Sequence, residues 1–168
     1  RARIFIALIF LVVVASLLIA GVTIFQYSEQ SNTYHEQRLE RKENQLKKRI
    51  AYLLEDAVLA VNPQNIAAIF EPYMQQTAEV LNINFRIYNL SGVLMSSTQL
   101  MENVPVQVLP KTLLGQLKTN PSERLIDVST TNDIRMRSSY FYIFDTNGLP
   151  LAILNVPYYD DDSLSSLE

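Results

Sequence analysis

The sequence predicts an α+β chain: an N-terminal transmembrane helix continuing into a long amphipathic helix, then a five-stranded antiparallel sheet with flanking helices. Three observations carry this expectation. Residues 4–25, IFIALIFLVVVASLLIAGVTIF, carry no charge. From Gln26 to Val61 there is no Pro or Gly, and Leu39, Leu46 and Leu53 recur every seven residues. Two later stretches, FRIYNLSGVLMSST and YFYIFDTNGLPLAILNVPYY, each set two apolar runs around a Gly-containing turn, the signature of a β-hairpin.

At about 1.5 Å rise per residue, the first stretch can cross a hydrocarbon core of roughly 30 Å. A cleaved signal peptide is the competing reading. The apolar run exceeds the usual h-region, however, and no A-x-A-like site follows it. Arg1 and Arg3 precede it, so the positive-inside rule places the N-terminus in the cytoplasm and the rest of the chain outside.

Residues 26–61 read as a stalk. Leu39, Leu46, Ile50 and Leu53 form an apolar seam suited to a second copy of the chain, and Leu54, Ala57, Val58 and Val61 widen it toward its end. The alternating charges of EQRLERKENQLKKR suit a solvated helix with i,i+4 pairs such as Glu43–Lys47. The single histidine, His35, lies in this polar part and is expected at the surface.

The remaining segment, 62–159, reads as one domain. Asn62-Pro63 starts a helix that runs on the spacing of Ile66, Ile69, Phe70, Tyr73, Met74, Ala78 and Leu81. Strands are expected over 83–89 and 93–97, a loop over 100–110 that Pro105 and Pro110 keep from regular pairing, and a short helix over 111–118. Further strands are expected over 124–129, 134–145 and 149–156. In the first strand Ile83, Phe85 and Ile87 alternate with Asn84, Arg86 and Tyr88, so one face is wet or faces a ligand. In the fourth, Tyr140 and Tyr142 share one face and Arg135 and Arg137 the other; which pair joins Arg86 depends on register. Residues 160–168 read as an acidic linker.

Composition narrows the function classes. Fourteen Lys and Arg against 17 Asp and Glu give no basic footprint for nucleic acid. No cysteine, one histidine and four glycines leave no thiolate or His-pair metal site and no glycine-rich phosphate loop. No catalytic residue, metal ligand or cofactor is therefore expected. Asp160-Asp161-Asp162 could attract a hard cation, but three adjacent carboxylates cannot all turn toward one ion, and a solvated linker is the simpler reading.

The layout of membrane helix, stalk and sheet domain, with a crossover between strands two and three, resembles the PAS-like extracytoplasmic sensor domains called PDC or Cache. FRIYNLSGVLMSST fits their strand, Asp/Asn-x-x-Gly, strand hairpin, and YFYIFDTNGLPLAIL fits their closing hairpin. The Tyr, Arg and aromatic signature of the amino-acid-binding members is not visible here. The resemblance implies the sensing region of a bacterial inner-membrane receptor, a two-component sensor histidine kinase above all, working as a homodimer. It also implies that a second membrane helix and an output domain follow, and that a ligand lies against the sheet under the crossover. Arg86, Tyr88, Tyr140 and Tyr142 are the candidate ligand residues, and a small carboxylate or a periplasmic protein is the candidate partner. Arg suits a carboxylate because its planar fork donates two parallel hydrogen bonds. The alternatives are a pilin-like or pseudopilin-like structural subunit, whose apolar helix would normally carry a Glu, and a membrane-anchored binding or assembly protein.

Overall fold

The computed structural model describes residues 2–57, 60–100, 106–131 and 134–159, and within them all side chains except those of residues 2, 28, 31, 32, 35, 130, 131, 134, 135 and 159. The expectations for Val58, Pro105, the acidic run 160–162, and the side chains of His35 and Arg135 lie outside the described residues. The elements are α1 (Ala2–Glu55), α2 (Ile66–Leu81), β1 (Arg86–Tyr88), β2 (Leu94–Ser97), α3 (Lys111–Thr119), β3 (Leu125–Thr131), β4 (Ile134–Phe144) and β5 (Pro150–Tyr159). The chain divides into two compact units, Arg1–Glu40 and Arg41–Glu168.

The first unit is helical. Its stretch Arg3–Tyr27, with mean hydropathy 3.1, is long and apolar enough to cross a membrane. Its large apolar side chains, from Ile4 to Phe25, are exposed. The hydroxyl of Thr23 donates to the carbonyl of Ile19, 2.8 Å away, so this polar group needs no solvent partner.

The second unit is a sheet with helices on both faces. Its strand order is β2-β1-β5-β4-β3, and every neighbouring pair is antiparallel. The first strand therefore lies inside the sheet beside the last, and the connection that carries α3 leads from one edge to the other.

On one face, Leu46, Ile50 and Leu53 of α1 meet Phe70 and Met74 of α2 above Phe85 and Ile87. They leave a void of only about 10 Å³, no more than one water could fill. The heptad leucines expected as a seam between copies thus pack inside their own chain. Leu46, Ile50 and Leu53 are buried within their own chain and have no surface left for a second stalk, while Leu39 falls in the other unit. The stripe is apolar, as its spacing indicates; what it faces is the sheet.

The same face changes the charge pattern. Glu43 is 1% exposed and accepts a hydrogen bond from Arg124 at 2.9 Å, in place of the solvated Glu43–Lys47 pair. Lys47 instead sets its ammonium 4.3 Å from the centre of the Phe141 ring, a cation–π contact. Lys42 donates to the carbonyl of Asn82 at 2.8 Å, placing a cation at the negative end of α2.

Helix α1 ends at Glu55, earlier than the 61 expected. Burial along its stripe stops at Leu53, and without packing a further turn gains little. Asn62 then organises the approach to α2. Its Oδ1 accepts the backbone N–H groups of Gln64 and Asn65, both at 3.0 Å, and α2 proper begins at Ile66.

The opposite face is covered by α3. Leu113 and Leu117 pack with Leu109 against Tyr88, Tyr140, Tyr142 and Ile153. All three residues of β1 are buried, so its polar side is enclosed rather than wet. The segment expected as an unpaired loop also joins the hairpin: Leu94 donates to Gln107 and Leu109 to Gly92, both at 2.8 Å.

Both hairpins use one local device. Asn89 Oδ1 accepts the N–H groups of Ser91 and Val93, and Asp145 Oδ1 those of Asn147 and Leu149. Gly92 (φ 84°) and Gly148 (φ 79°) close the turns in the left-handed region. Their surroundings differ. A Cβ on Gly92 would meet Leu114 Cδ1 at 2.9 Å and Leu109 Cβ at 3.1 Å, whereas nothing lies within 4 Å of one on Gly148. Gly148→Ala is expected to cost about 1 kcal/mol, the conformational penalty alone. Gly92→Ala is expected to cost at least about 2 kcal/mol, since overpacking adds to it. Urea midpoints of the two variants compare them directly, and equal losses would refute this account of the β1–β2 turn.

Candidate functional site

Register decides which residues meet. Arg86 pairs with Ser97 on one side and Asn155 on the other, Asn155 pairs with Tyr140, and Tyr140 with Leu125. In an antiparallel sheet directly paired residues project from the same face. Ser97, Arg86, Asn155, Tyr140 and Leu125 thus form one row across all five strands. The next row holds Leu94, Tyr88, Ile153 and Tyr142. All four candidate ligand residues therefore share the face beneath α3. Arg137, paired with Val128 and Tyr158, is buried on the other face and does not join them.

Arg86 is 2% exposed. Its Nη1 donates to Asn155 Oδ1 at 3.2 Å and its Nη2 to Gln99 Oε1 at 2.7 Å. Its Nε is buried and has no hydrogen-bond partner. Among the described residues no carboxylate pairs with it, and its partners there are neutral: the two amides and the neighbouring Tyr88 phenol. Such burial is strongly unfavourable unless an anion compensates it.

The Asn155 amide is itself held, and Gln99 is held at its backbone. Asn155 donates its Nδ2 hydrogen to the carbonyl of Ser139 at 3.1 Å, which turns its oxygen toward Arg86. The backbone N–H of Gln99 donates to Ser97 Oγ at 3.1 Å, at the end of β2. Neither amide was singled out from the sequence. Asn155 carried a signal, as a lone amide in the apolar run LAILNVP must be buried and satisfied. Gln99 carried none.

The tyrosines play two parts. Their rings are core, packed under α3. Their hydroxyls differ: Tyr88 donates to the carbonyl of Val106 at 2.7 Å. Burial pushes the Tyr88 phenol above its ordinary pKa, while the neighbouring Arg86 pulls it back. Burial and the Tyr88 phenol raise Tyr140 to about 12, against a lowering by Ser138 and Arg86. Burial also raises Tyr142. The proton-bearing form is thus strongly held beside Arg86, and such a phenol can donate a hydrogen bond to an anion.

The open clefts of this unit, of about 300, 460 and 520 Å³, adjoin α1, and Arg86 lines none of these three. The enclosed cation and its amides, rather than a preformed cavity, define the candidate site. No family model matches the chain, and no curated protein matches it.

The raised phenols set a pH dependence. Tyr140 ionises near 10 when unfolded and about 12 when folded, so its contribution to stability is complete below pH 10 and is lost as pH rises toward 12. Urea midpoints between pH 9 and 11.5 should fall, and Tyr140→Phe should make that fall shallower. A variant that keeps the full slope would show that Tyr140 is not the group responsible.

Proposed function

We propose that this chain is the sensing region of a membrane receptor, in which a small anion bound at Arg86 acts on the helix leading to the membrane. The observation that carries the reading is the enclosed guanidinium, which has no carboxylate partner among the described residues, on the face beneath the connection between β2 and β3. A buried cation of this kind weakens a fold and is understandable where an incoming anion completes it. A small carboxylate fits by charge and by the planar donor fork of Arg.

Two further features support it. The five-stranded antiparallel sheet, with α3 on the crossover between β2 and β3, is the layout on which the resemblance to the PAS-like extracytoplasmic type rests. Helix α1 is continuous from the apolar stretch to the sheet domain and meets it through the Glu43–Arg124 pair and the Lys47–Phe141 contact. On this reading the domain faces the periplasm of a bacterium, and the output is that of a sensor histidine kinase. Such receptors work as homodimers, and the copies would then meet through surfaces other than Leu46, Ile50 and Leu53.

The test is a thermal-shift screen of the full chain in detergent with formate, acetate, lactate and succinate, repeated with Arg86→Met. At least one acid is expected to raise the Tm of the native chain. Arg86→Met, which replaces a buried charge by an apolar side chain of similar length, is expected to be no less stable without ligand and to lose the response. No stabilisation by any acid at millimolar concentration, or a response indifferent to Arg86→Met, would refute the reading.

A further inference from the structure

The two nitrogens on one edge of a guanidinium, Nε and Nη2, point their hydrogens in the same direction and together form the bidentate seat for a carboxylate. In Arg86 this edge is only half used. Nη2 donates to Gln99 Oε1 at 2.7 Å, and Nε has no hydrogen-bond partner among the described residues. The other nitrogen, Nη1, is engaged separately by Asn155. A neutral amide oxygen thus sits on one of the two nitrogens of this edge, and among the described residues no carboxylate compensates the charge.

We infer that Gln99 is an internal stand-in for an anionic ligand, which a small carboxylate displaces from the Nε–Nη2 edge of Arg86. The inference rests on the sensory reading above and adds to it a residue that controls access. An incoming carboxylate replaces one bond from a neutral acceptor by two charge-assisted bonds, while Asn155 keeps its hold on Nη1. The space it enters is the space the Gln99 amide leaves. The ligand is therefore small at its acidic end, an unbranched carboxylate.

Displacement also has a structural consequence. Gln99 lies two residues after β2, tethered by the bond of its N–H to Ser97 Oγ, and the preceding residue is clamped to the one before β1: Thr98 donates its N–H to Phe85 O at 3.1 Å and accepts the Phe85 N–H on Oγ1 at 3.0 Å. The clamp at Thr98 remains when the Gln99 side chain swings away. Release thus begins at Gln99 and leaves β2 in place, at the start of the connection that leads to α3.

Gln99→Glu tests the seat without any ligand. It puts a carboxylate where the amide oxygen sits and so builds the bound arrangement into the chain. The Tm of the full chain in detergent is expected to rise by roughly 3–6 °C, and the response to added acetate should disappear. In the double variant Arg86→Met with Gln99→Glu the rise should vanish, since it comes from this pair alone. Gln99→Ala removes the competitor, and acetate should bind it several-fold more tightly than the native chain, with chloride and phosphate as controls for simple anion binding.

A Tm that is unchanged or lower in Gln99→Glu, or a rise that survives in the double variant, would overturn the assignment of the seat. Acetate binding through Arg86 that is no tighter in Gln99→Ala would overturn the stand-in role while leaving the sensory reading intact. A rise in Gln99→Glu that depends on Arg86, with no carboxylate bound by the native chain, would support the seat and overturn the sensory reading.

Discussion

The burial of Arg86, with no carboxylate beside it among the described residues, is the constraint around which the polar residues of this domain are arranged. A guanidinium inside a sheet must have its donors met, and among the described residues its partners are neutral: two amides and the neighbouring Tyr88 phenol. One amide comes from β5, the strand that lies beside β1 only because the last strand inserts between the first and the fourth. The other comes from the end of β2, on the opposite side. The Asn155 amide is oriented by a hydrogen bond to a sheet carbonyl, and the backbone of Gln99 is tied to a serine hydroxyl. The arrangement is ordered, yet among the described residues it leaves Nε without a partner and the charge without a carboxylate. Structure alone does not require such a residue, since an apolar side chain of the same length would fill the place.

The sheet separates two kinds of packing, and β4 belongs to both. Tyr140 and Tyr142 project toward α3, while Phe141, between them, projects toward α1 and carries Lys47 over its ring. The residues before β3 make a second link: Arg124 lies beyond the end of α3 and reaches Glu43 of α1. Glu43 is nearly inaccessible, and its second oxygen has no hydrogen-bond partner, so removing Arg124 would leave a buried charge much less compensated. In the proposed mechanism these are the contacts through which a change beneath α3 reaches α1.

Much of the architecture was legible because its signals are local. An Asn or Asp with a Gly three residues later specifies a turn by its own hydrogen bonds and backbone preference, and both hairpins obey it. The apolar stretch at Arg3–Tyr27 and the helical spacing of α2 are equally local. The partners of a stripe are not. Leu46, Ile50 and Leu53 are spaced as a coiled-coil seam would be, but the same spacing serves a helix lying on a sheet, and only tertiary contact distinguishes the two. The candidate site shows the same division. Residue types on β1 pointed to Arg86, whereas the choice between the tyrosines and Arg137 depended on a register that a one-residue slip would reverse. Gln99 lies beyond a strand end, where no periodicity marks it.

The most direct measurement is the nuclear magnetic resonance signal of the Arg86 Nε–H group in the full chain, labelled at arginine, held in detergent and assigned by its absence in Arg86→Lys. That hydrogen is the donor the fold leaves unused and the one a bound carboxylate would engage. The account predicts that small carboxylates shift the signal in a saturable way and that chloride at the same ionic strength does not. A signal that no small carboxylate moves, or that chloride moves equally, would contradict it.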